Sequence, residues 1–188
     1  MAAKRKGTRN PQRGALELVT GSVEETAAFG VRLGKALGAG DVVALYGELG
    51  SGKTTLIQGV AQGLRLAPEA VKSPTFVLVR EYHGDPALIH VDGYRLEGAQ
   101  AAWFLDVDLL FSSHKVTVLE WADRFAGLLP EDRVEVQMSH VSTNRRQLQV
   151  SATGARSSEV IANLQVHGST ANTTSLQPEP HPDVHPGD

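Results

Sequence analysis

Cysteine is absent from this chain, and methionine and tryptophan occur only twice each. Without cysteine there is no disulfide framework and no thiolate metal site, which suits a reducing compartment, so a cytoplasmic location is expected. No apolar run approaches the roughly 20 residues that a bilayer-spanning helix needs, so no membrane partner is expected. The first 13 residues lack any acid but hold Lys4, Arg5, Lys6, Arg9 and Arg13. No apolar segment follows them, so they do not read as a secretory signal.

Those five cations hide an acidic body. The whole chain carries −3, but with them set aside 13 basic residues face 21 acidic ones, a charge of −8. Affinity for a phosphate backbone comes largely from Lys and Arg, so direct contact with RNA along the body is disfavoured. Any such contact falls to the basic arm, which otherwise reads as a solvated leader over residues 1–14. At 188 residues and 41% hydrophobic content, one core and one domain over residues 15–154 are expected. The polar stretch 155–188, rich in Ser, Thr, Pro, Asn and His towards its end, is expected to be a mostly disordered tail. The pair His181 and His185 sits there without further ligands, too little for a metal site.

What is present is organised around residues 41–55. Val42 to Tyr46 is an apolar run with the length of a buried strand. It leads into Gly47-Glu-Leu-Gly-Ser-Gly52-Lys53-Thr54, a complete phosphate-binding loop pattern. Leu56, Ile57, Val60, Ala61 and Leu64 then recur at helical spacing. Glycines let such a loop turn its N–H groups inward, and the helix N-terminus adds partial positive charge. At ordinary glycine usage the bare pattern arises by chance in roughly one chain in a hundred of this length, so the strand before it and the helix after it carry much of the inference. In this pattern Lys53 reaches the β- and γ-phosphates of a nucleoside triphosphate and the Thr54 hydroxyl holds Mg²⁺.

Around this centre, Leu16 to Val19 reads as a first strand. Ser22 and Glu25 form a capping box for a helix from Val23 to about Leu37, whose Ala27, Gly30 and Gly34 suit close packing on a sheet. Phe76 to Val79 has strand composition after a Ser73-Pro74-Thr75 loop. Ala87 to Val91 is an apolar strand ending in Asp92, as expected of an acid that binds Mg²⁺ directly or through water. Val116 to Leu119 is a second such strand, ending in Glu120-Trp121 at the sheet end where open α/β folds place ligands. Val134, Val136, Met138 and Leu148, Val150, Ala152 alternate with polar residues and predict a hairpin with its turn at 142–146. The fold class expected is α/β: a P-loop NTPase-like mixed sheet, parallel at its centre with antiparallel additions, in three α/β/α layers.

Four motifs stand in order: Gly-Glu-Leu-Gly-Ser-Gly-Lys-Thr-Thr (47–55), Ser-Pro-Thr-Phe (73–76), His-Val-Asp-Gly-Tyr-Arg-Leu (90–96) and Leu-Glu-Trp-Ala (119–122). Together, over roughly residues 16–152, they resemble the TsaE (YjeE) family of P-loop ATPases of bacterial tRNA threonylcarbamoyladenosine synthesis. The resemblance implies an ATPase, weak alone, that hydrolyses ATP with Mg²⁺ to reset a partner complex. Those partners are a TsaD-type catalytic subunit and a TsaB-type paralogue. The product is a modified adenosine at position 37 of tRNAs reading codons that begin with adenosine, with tRNA met only through the complex.

Residue by residue, the resemblance gives Lys53 and the backbone of Glu48, Leu49, Gly50, Ser51, Gly52, Thr54 and Thr55 to the phosphates. Thr54, Glu120 and Asp92 go to Mg²⁺, with Lys53, Glu120 and Asp92 as the catalytic set. Thr75 is the γ-phosphate sensor, Trp121 lines the site, and Ser22 and Arg145 flank the base. Tyr94 and Arg95 match the family motif and suit a transition-state cation in cis or a partner contact. One departure is the segment Glu97-Gly-Ala-Gln-Ala-Ala-Trp103, where the family carries more acids. The alternatives are a small-molecule P-loop kinase and a nucleotide-dependent regulatory switch. The kinase needs an arginine-bearing lid, and no arginine lies between Glu97 and Lys115.

Overall fold

The computed structural model describes residues 14–96 and 105–168. The basic leader, the departure segment from Glu97 to Trp103 and the His181/His185 pair lie outside the described residues, apart from Gly14 at the leader's end.

Seven strands form one sheet in the order β1-β7-β6-β2-β5-β4-β3. They are β1 (Ala15–Thr20), β2 (Val42–Gly47), β3 (Val79–Tyr82), β4 (Ala87–Asp92), β5 (Lys115–Glu120), β6 (Val134–His140) and β7 (Arg146–Ala152). The centre β6-β2-β5-β4 is parallel and the outer strands β1, β7 and β3 are antiparallel. This matches the sheet composition: β2, β4 and β5 are continuous apolar runs covered on both faces, whereas β6 and β7 alternate.

Side-chain alternation sorts the core into two clusters on opposite faces of the sheet. Val43, Leu45, Leu88, Val116, Val118, Val136 and Val150 turn towards helices α1 (Val23–Ala36), α2 (Lys53–Gly63) and α4 (Ala155–Gly168). Val42, Ile89, Val91 and Leu119 turn the other way, against Leu96, Phe125 and Leu110 of the four-residue helix α3 (Val107–Leu110). The three layers are therefore unequal, with one thick helical face and one thin face of short turns among the described residues.

Three sequence expectations are corrected here. The first concerns α1, whose small residues meet α2 rather than the sheet. A Cβ built on Gly30 would stand 2.3 Å from the Leu56 carbonyl, and one on Gly59 2.1 Å from the Ala27 carbonyl. The two helix backbones thus touch with no room for a methyl group. The second concerns the strand expected from Phe76, which starts at Val79. Leu78 is left-handed (φ 68), and the N–H groups of Val77 and Leu78 both donate to the Pro74 carbonyl, closing a turn that extended backbone cannot cross. Phe76 is left 85% exposed.

The third correction moves the domain boundary. Residues from Ala155 to Gly168, expected in the tail, form α4 and bury Val160, Ile161 and Leu164 in the core. Asp132 receives the Arg156 and Ser157 backbone N–H groups at 2.8 and 3.0 Å, so an acid distant in sequence caps the helix. Arg156 then clamps the buried Asp41 through two bonds of 3.0 and 2.8 Å. Only Val160, Ile161 and Leu164 of α4 are buried apolar residues, at helical spacing but over little more than one turn among polar neighbours, which leaves a weak pattern in sequence.

Candidate functional site

The C-terminal ends of the parallel strands β2, β4 and β5 converge on the N-terminus of α2. In the β4–β5 register Asp92 stands opposite Glu120, so two acids from separate strands share one edge of the sheet. Leu88, His90 and Asp92 lie two apart on β4, as do Val116, Val118 and Glu120 on β5, and this period aims the polar ends of both rows towards the α2 side. Gly47 takes φ 141 and a Cβ on it would stand 2.3 Å from the Met138 carbonyl, so the loop can leave β2 this close to β6 only with glycine there. Gly52, at φ 99, opens α2.

Leu49, Gly50, Gly52, Lys53, Thr54 and Thr55 line a cleft of about 570 Å³ together with Ser73, Thr75, Asp92, Tyr94, Glu120 and Trp121. A larger hollow beside Tyr46 and Glu135 lies away from these groups. The cleft that holds the glycine loop and both acids is the candidate site, because convergent charged groups at strand ends mark a ligand site better than volume does.

Lys53 is almost fully buried. Its Nζ donates to the carbonyls of Gly47 and Glu48, both at 2.9 Å, and lies 4.2 Å from the centre of the Trp121 ring. Burial pushes its ammonium below the usual lysine range, while the carboxylates of Glu120, Asp92 and Asp123 oppose that shift. Trp121 itself is left-handed (φ 59, ψ 49) and packs against Tyr94 with ring centres 5.3 Å apart. An unusual backbone for so bulky a residue costs on the order of 1–3 kcal/mol and recurs at functional sites. Here it sets the indole over Lys53.

Thr54 Oγ1 donates to Glu120 Oε1 at 3.0 Å. His90 Nε2 lies 2.9 Å from the same oxygen. Asp92 accepts from the hydroxyls of Ser73 and Thr75 at Oδ2, and from the Tyr94 N–H at Oδ1 at 2.9 Å. The Ser-Pro-Thr loop is thereby fastened to the strand end through one carboxylate. Beyond the loop, the Arg95 guanidinium stacks 4.3 Å over the exposed Phe76 ring.

A smaller hollow of about 160 Å³ adjoins the loop, lined by Ser22, Val23, Thr26, Gly50, Gly52, Thr55, Thr143, Asn144 and Arg146. Ser22 caps α1 by accepting the Glu25 N–H at 3.1 Å, and Glu25 reaches back to the Gly21 N–H at 2.6 Å. Arg145 is exposed in the hairpin turn and is not among the lining residues; its neighbour Arg146 takes that place. The reason is register. Arg146 begins β7 in phase with Leu148 and Val150, which face α1, and its guanidinium is held by the carbonyls of Ser142, Thr143 and Arg145. The structure thus gathers every sequence-predicted site residue except Arg145 around these two adjoining hollows, Glu48 through its carbonyl and Ser51 as a buried side chain near Lys53. It adds Ser73, His90, Asp123 and Arg146, which no spacing rule singles out.

Thr54, Asp92 and Glu120 are hard oxygen donors of the kind Mg²⁺ takes. Among the described residues no group of three or more His, Cys, Asp or Glu is placed to hold a metal alone. Mg²⁺ is ordinarily bound through one or two carboxylates with substrate phosphates and water rather than in an all-protein cage.

Comparison with known proteins agrees with this architecture. Residues 20–148 match the model of the family described as threonylcarbamoyl adenosine biosynthesis protein TsaE. The chain is 35% identical over 135 residues to a tRNA threonylcarbamoyladenosine biosynthesis protein TsaE of Treponema pallidum, covering 72% of this chain and 99% of that protein. It is 33% identical over 150 residues to the protein of the same name in Bacillus subtilis, covering 79% and 93%. The crystal structure of Bacillus subtilis YdiB superposes with a TM-score of 0.70 at 30% identity, covering 82% of this chain and 96% of that one.

Proposed function

The chain belongs to the TsaE family, and from that membership together with the geometry of the cleft we propose that it is a Mg²⁺-dependent ATPase serving tRNA threonylcarbamoyladenosine formation. The observation that carries this reading is the meeting of Lys53, Thr54, Asp92 and Glu120 in one cleft at the N-terminus of α2. Phosphoryl transfer depends on positioning and charge neutralisation more than on covalent help, and this set supplies both.

In the proposed cycle the backbone N–H groups of residues 48–55 cradle the phosphates. Lys53 leaves the Gly47 and Glu48 carbonyls for the β- and γ-phosphates. Thr54, Asp92 and Glu120 hold Mg²⁺, which supplies charge neutralisation along the phosphate chain. Glu120 also orients the attacking water. The hollow beside Ser22 and Arg146 takes the base, which shifts the basic contact from Arg145 to its neighbour.

The ties from Ser73 and Thr75 to Asp92 support a link between nucleotide state and partner binding. A metal arriving with the nucleotide competes with these hydroxyls for the Asp92 carboxylate, so its arrival and departure reposition the loop that carries the exposed Phe76 and Val77. Hydrolysis then resets a complex with TsaD-type and TsaB-type subunits, which perform the transfer to adenosine 37, and tRNA is met through that complex. No helix among the described residues is long and apolar enough to cross a membrane. Work on tRNA is what suggests a cytoplasmic location.

The test is ATP turnover with Mg²⁺, alone and with the two partner subunits. Slow turnover alone that rises with the partners supports the reading. Fast turnover indifferent to them would mean an independent ATPase or kinase.

A further inference from the structure

His90 sits wholly in the core behind this site. It is 0% exposed, between the apolar Ile89 and Val91 of β4, and its Nε2 lies 2.9 Å from Glu120 Oε1. Its other nitrogen, Nδ1, is buried with no hydrogen-bond partner. A histidine in that position needs a reason, because orphaned buried polar atoms are rare and cost free energy. The geometry also selects the tautomer. A carboxylate only accepts, so the proton facing it belongs on Nε2.

We infer that His90 is a positioning residue for Glu120. Its Nε2–H and the Thr54 hydroxyl both donate to Oε1, at 2.9 and 3.0 Å, and together they fix the carboxylate's orientation at the mouth of the cleft. The two donors differ in what they can do. Thr54 is itself exposed to the ligand and gives up its bond when its hydroxyl turns to a metal. His90 is enclosed by β4 and its neighbours, cannot reach the cleft, and keeps its bond throughout. It lies two residues before Asp92 on the same strand face, so one strand supplies one acid directly and the support for the other. Bonds of this kind behind metal-binding carboxylates are worth about 10–100-fold in metal affinity or activity when removed. The inference rests on the proposed role of Glu120 at Mg²⁺ and water.

Two measurements test it. The first is the ¹⁵N spectrum of the imidazole rings in the nucleotide-free full chain, which needs no catalysis. A proton on Nε2 is expected for His90, and an Nε2 that carries none overturns the inference. The second is ADP affinity with and without Mg²⁺ in the wild type, His90→Leu, which fills the space without a donor, and His90→Gln, whose amide reaches the Nε2 position. All three are expected to bind ADP equally without Mg²⁺. With Mg²⁺, His90→Leu should lose about 10–100-fold of the wild-type gain, and His90→Gln should keep most of it. A full Mg²⁺ gain in His90→Leu overturns the inference, as does a loss in His90→Gln as deep as in His90→Leu. Should His90→Leu not fold, His90→Asn, whose shorter amide falls short of Oε1, takes its place with the same outcomes. A wild type whose ADP affinity is indifferent to Mg²⁺ overturns the metal reading itself, and the inference with it. A Mg²⁺-sensitive wild type beside an equally sensitive His90→Leu overturns the inference alone.

Discussion

Lys53 rests with its ammonium 4.2 Å from the centre of the Trp121 ring, capped by an indole that a left-handed backbone turns inward. Two loop carbonyls share the charge. The lysine is thus held between the loop and the aromatic face, one hydrogen-bonding step from the space a phosphate would fill. A cation on a desolvated aromatic face gains on the order of 0.5–2 kcal/mol, far less than a phosphate offers, so the arrangement stores the charge without trapping it.

Lys53→Ala is accordingly expected to cut ATP turnover by about 10²- to 10³-fold, the usual cost of losing a donor to developing charge. The melting temperature should barely change, because the lysine's burial itself opposes its charge. Steady-state phosphate release and a thermal scan check both halves. Turnover near wild type would falsify the assignment of the loop.

Glu120→Gln should spare ADP binding measured without Mg²⁺ yet reduce hydrolysis by a similar factor, about 10²-fold or more. The glutamine amide keeps the shape while removing the charge placed for Mg²⁺ and water. Isothermal titration with ADP alongside single-turnover hydrolysis separates the two effects. Equal loss of both would point to a structural role for the carboxylate.

Gly59→Ala acts on the fold. Its methyl group would stand 2.1 Å from the Ala27 carbonyl and 2.9 Å from the Gly30 Cα, where only backbone is available to move. Overpacking of this sort costs about 1–3 kcal/mol, and helix propensity offsets less than about 1 of it. Urea unfolding should show a lower midpoint. An unchanged or raised midpoint would mean that α1 and α2 separate more easily than their contact suggests.

Asp132 gives a pH dependence. Burial acts to raise its carboxyl, but hydrogen bonds from the Ser157 side chain and from the Ser157 and Arg156 backbones outweigh it and hold the pKa below the ordinary aspartate range. A depressed folded-state pKa contributes stability that is present above the unfolded value, near 3.8, and is lost as pH falls through the folded one. Asp132→Ala should therefore cost about 0.5–2 kcal/mol at pH 7, as for a lost helix cap, and the gap to wild type should shrink as pH falls well below 3.8. Denaturant melts at both pH values decide the matter; a gap that persists in acid would assign the effect to packing.

Ending the chain at Gly154 should abolish cooperative unfolding. It removes Val160, Ile161 and Leu164 from the core, each worth about 1.5–3 kcal/mol on burial, against a whole-domain stability of about 5–15 kcal/mol. Retention of a sharp thermal transition in that truncation would return the boundary to residue 154.

The chemistry of the site was largely legible in the chain because it is local. The run from Val42 to Thr55 joins strand, loop and helix in 14 consecutive residues, and glycine spacing between that strand and helix points to a phosphate cradle. Asp92 and Glu120 were visible as acids ending apolar strands, since continuous apolar runs mark central parallel strands and ligands gather at their ends. The hairpin of β6 and β7 showed in its period of two.

What escaped was set by partners far away in sequence. His90 reads as any histidine in a strand until β5 brings Glu120 beside it. Whether Arg145 or Arg146 faces the hollow depends on strand register, and a shift of one residue reverses the answer. The glycines of α1 announce close packing without saying against what; their partners on α2 are fixed only when the two helices cross. Strand composition at Phe76 to Leu78 yields to a turn closed on the Pro74 carbonyl. Helix α4 is held by Asp132 and Asp41, more than 20 and 100 residues upstream. Local spacing encodes local geometry, but burial and hydrogen-bond partners are properties of the assembled chain.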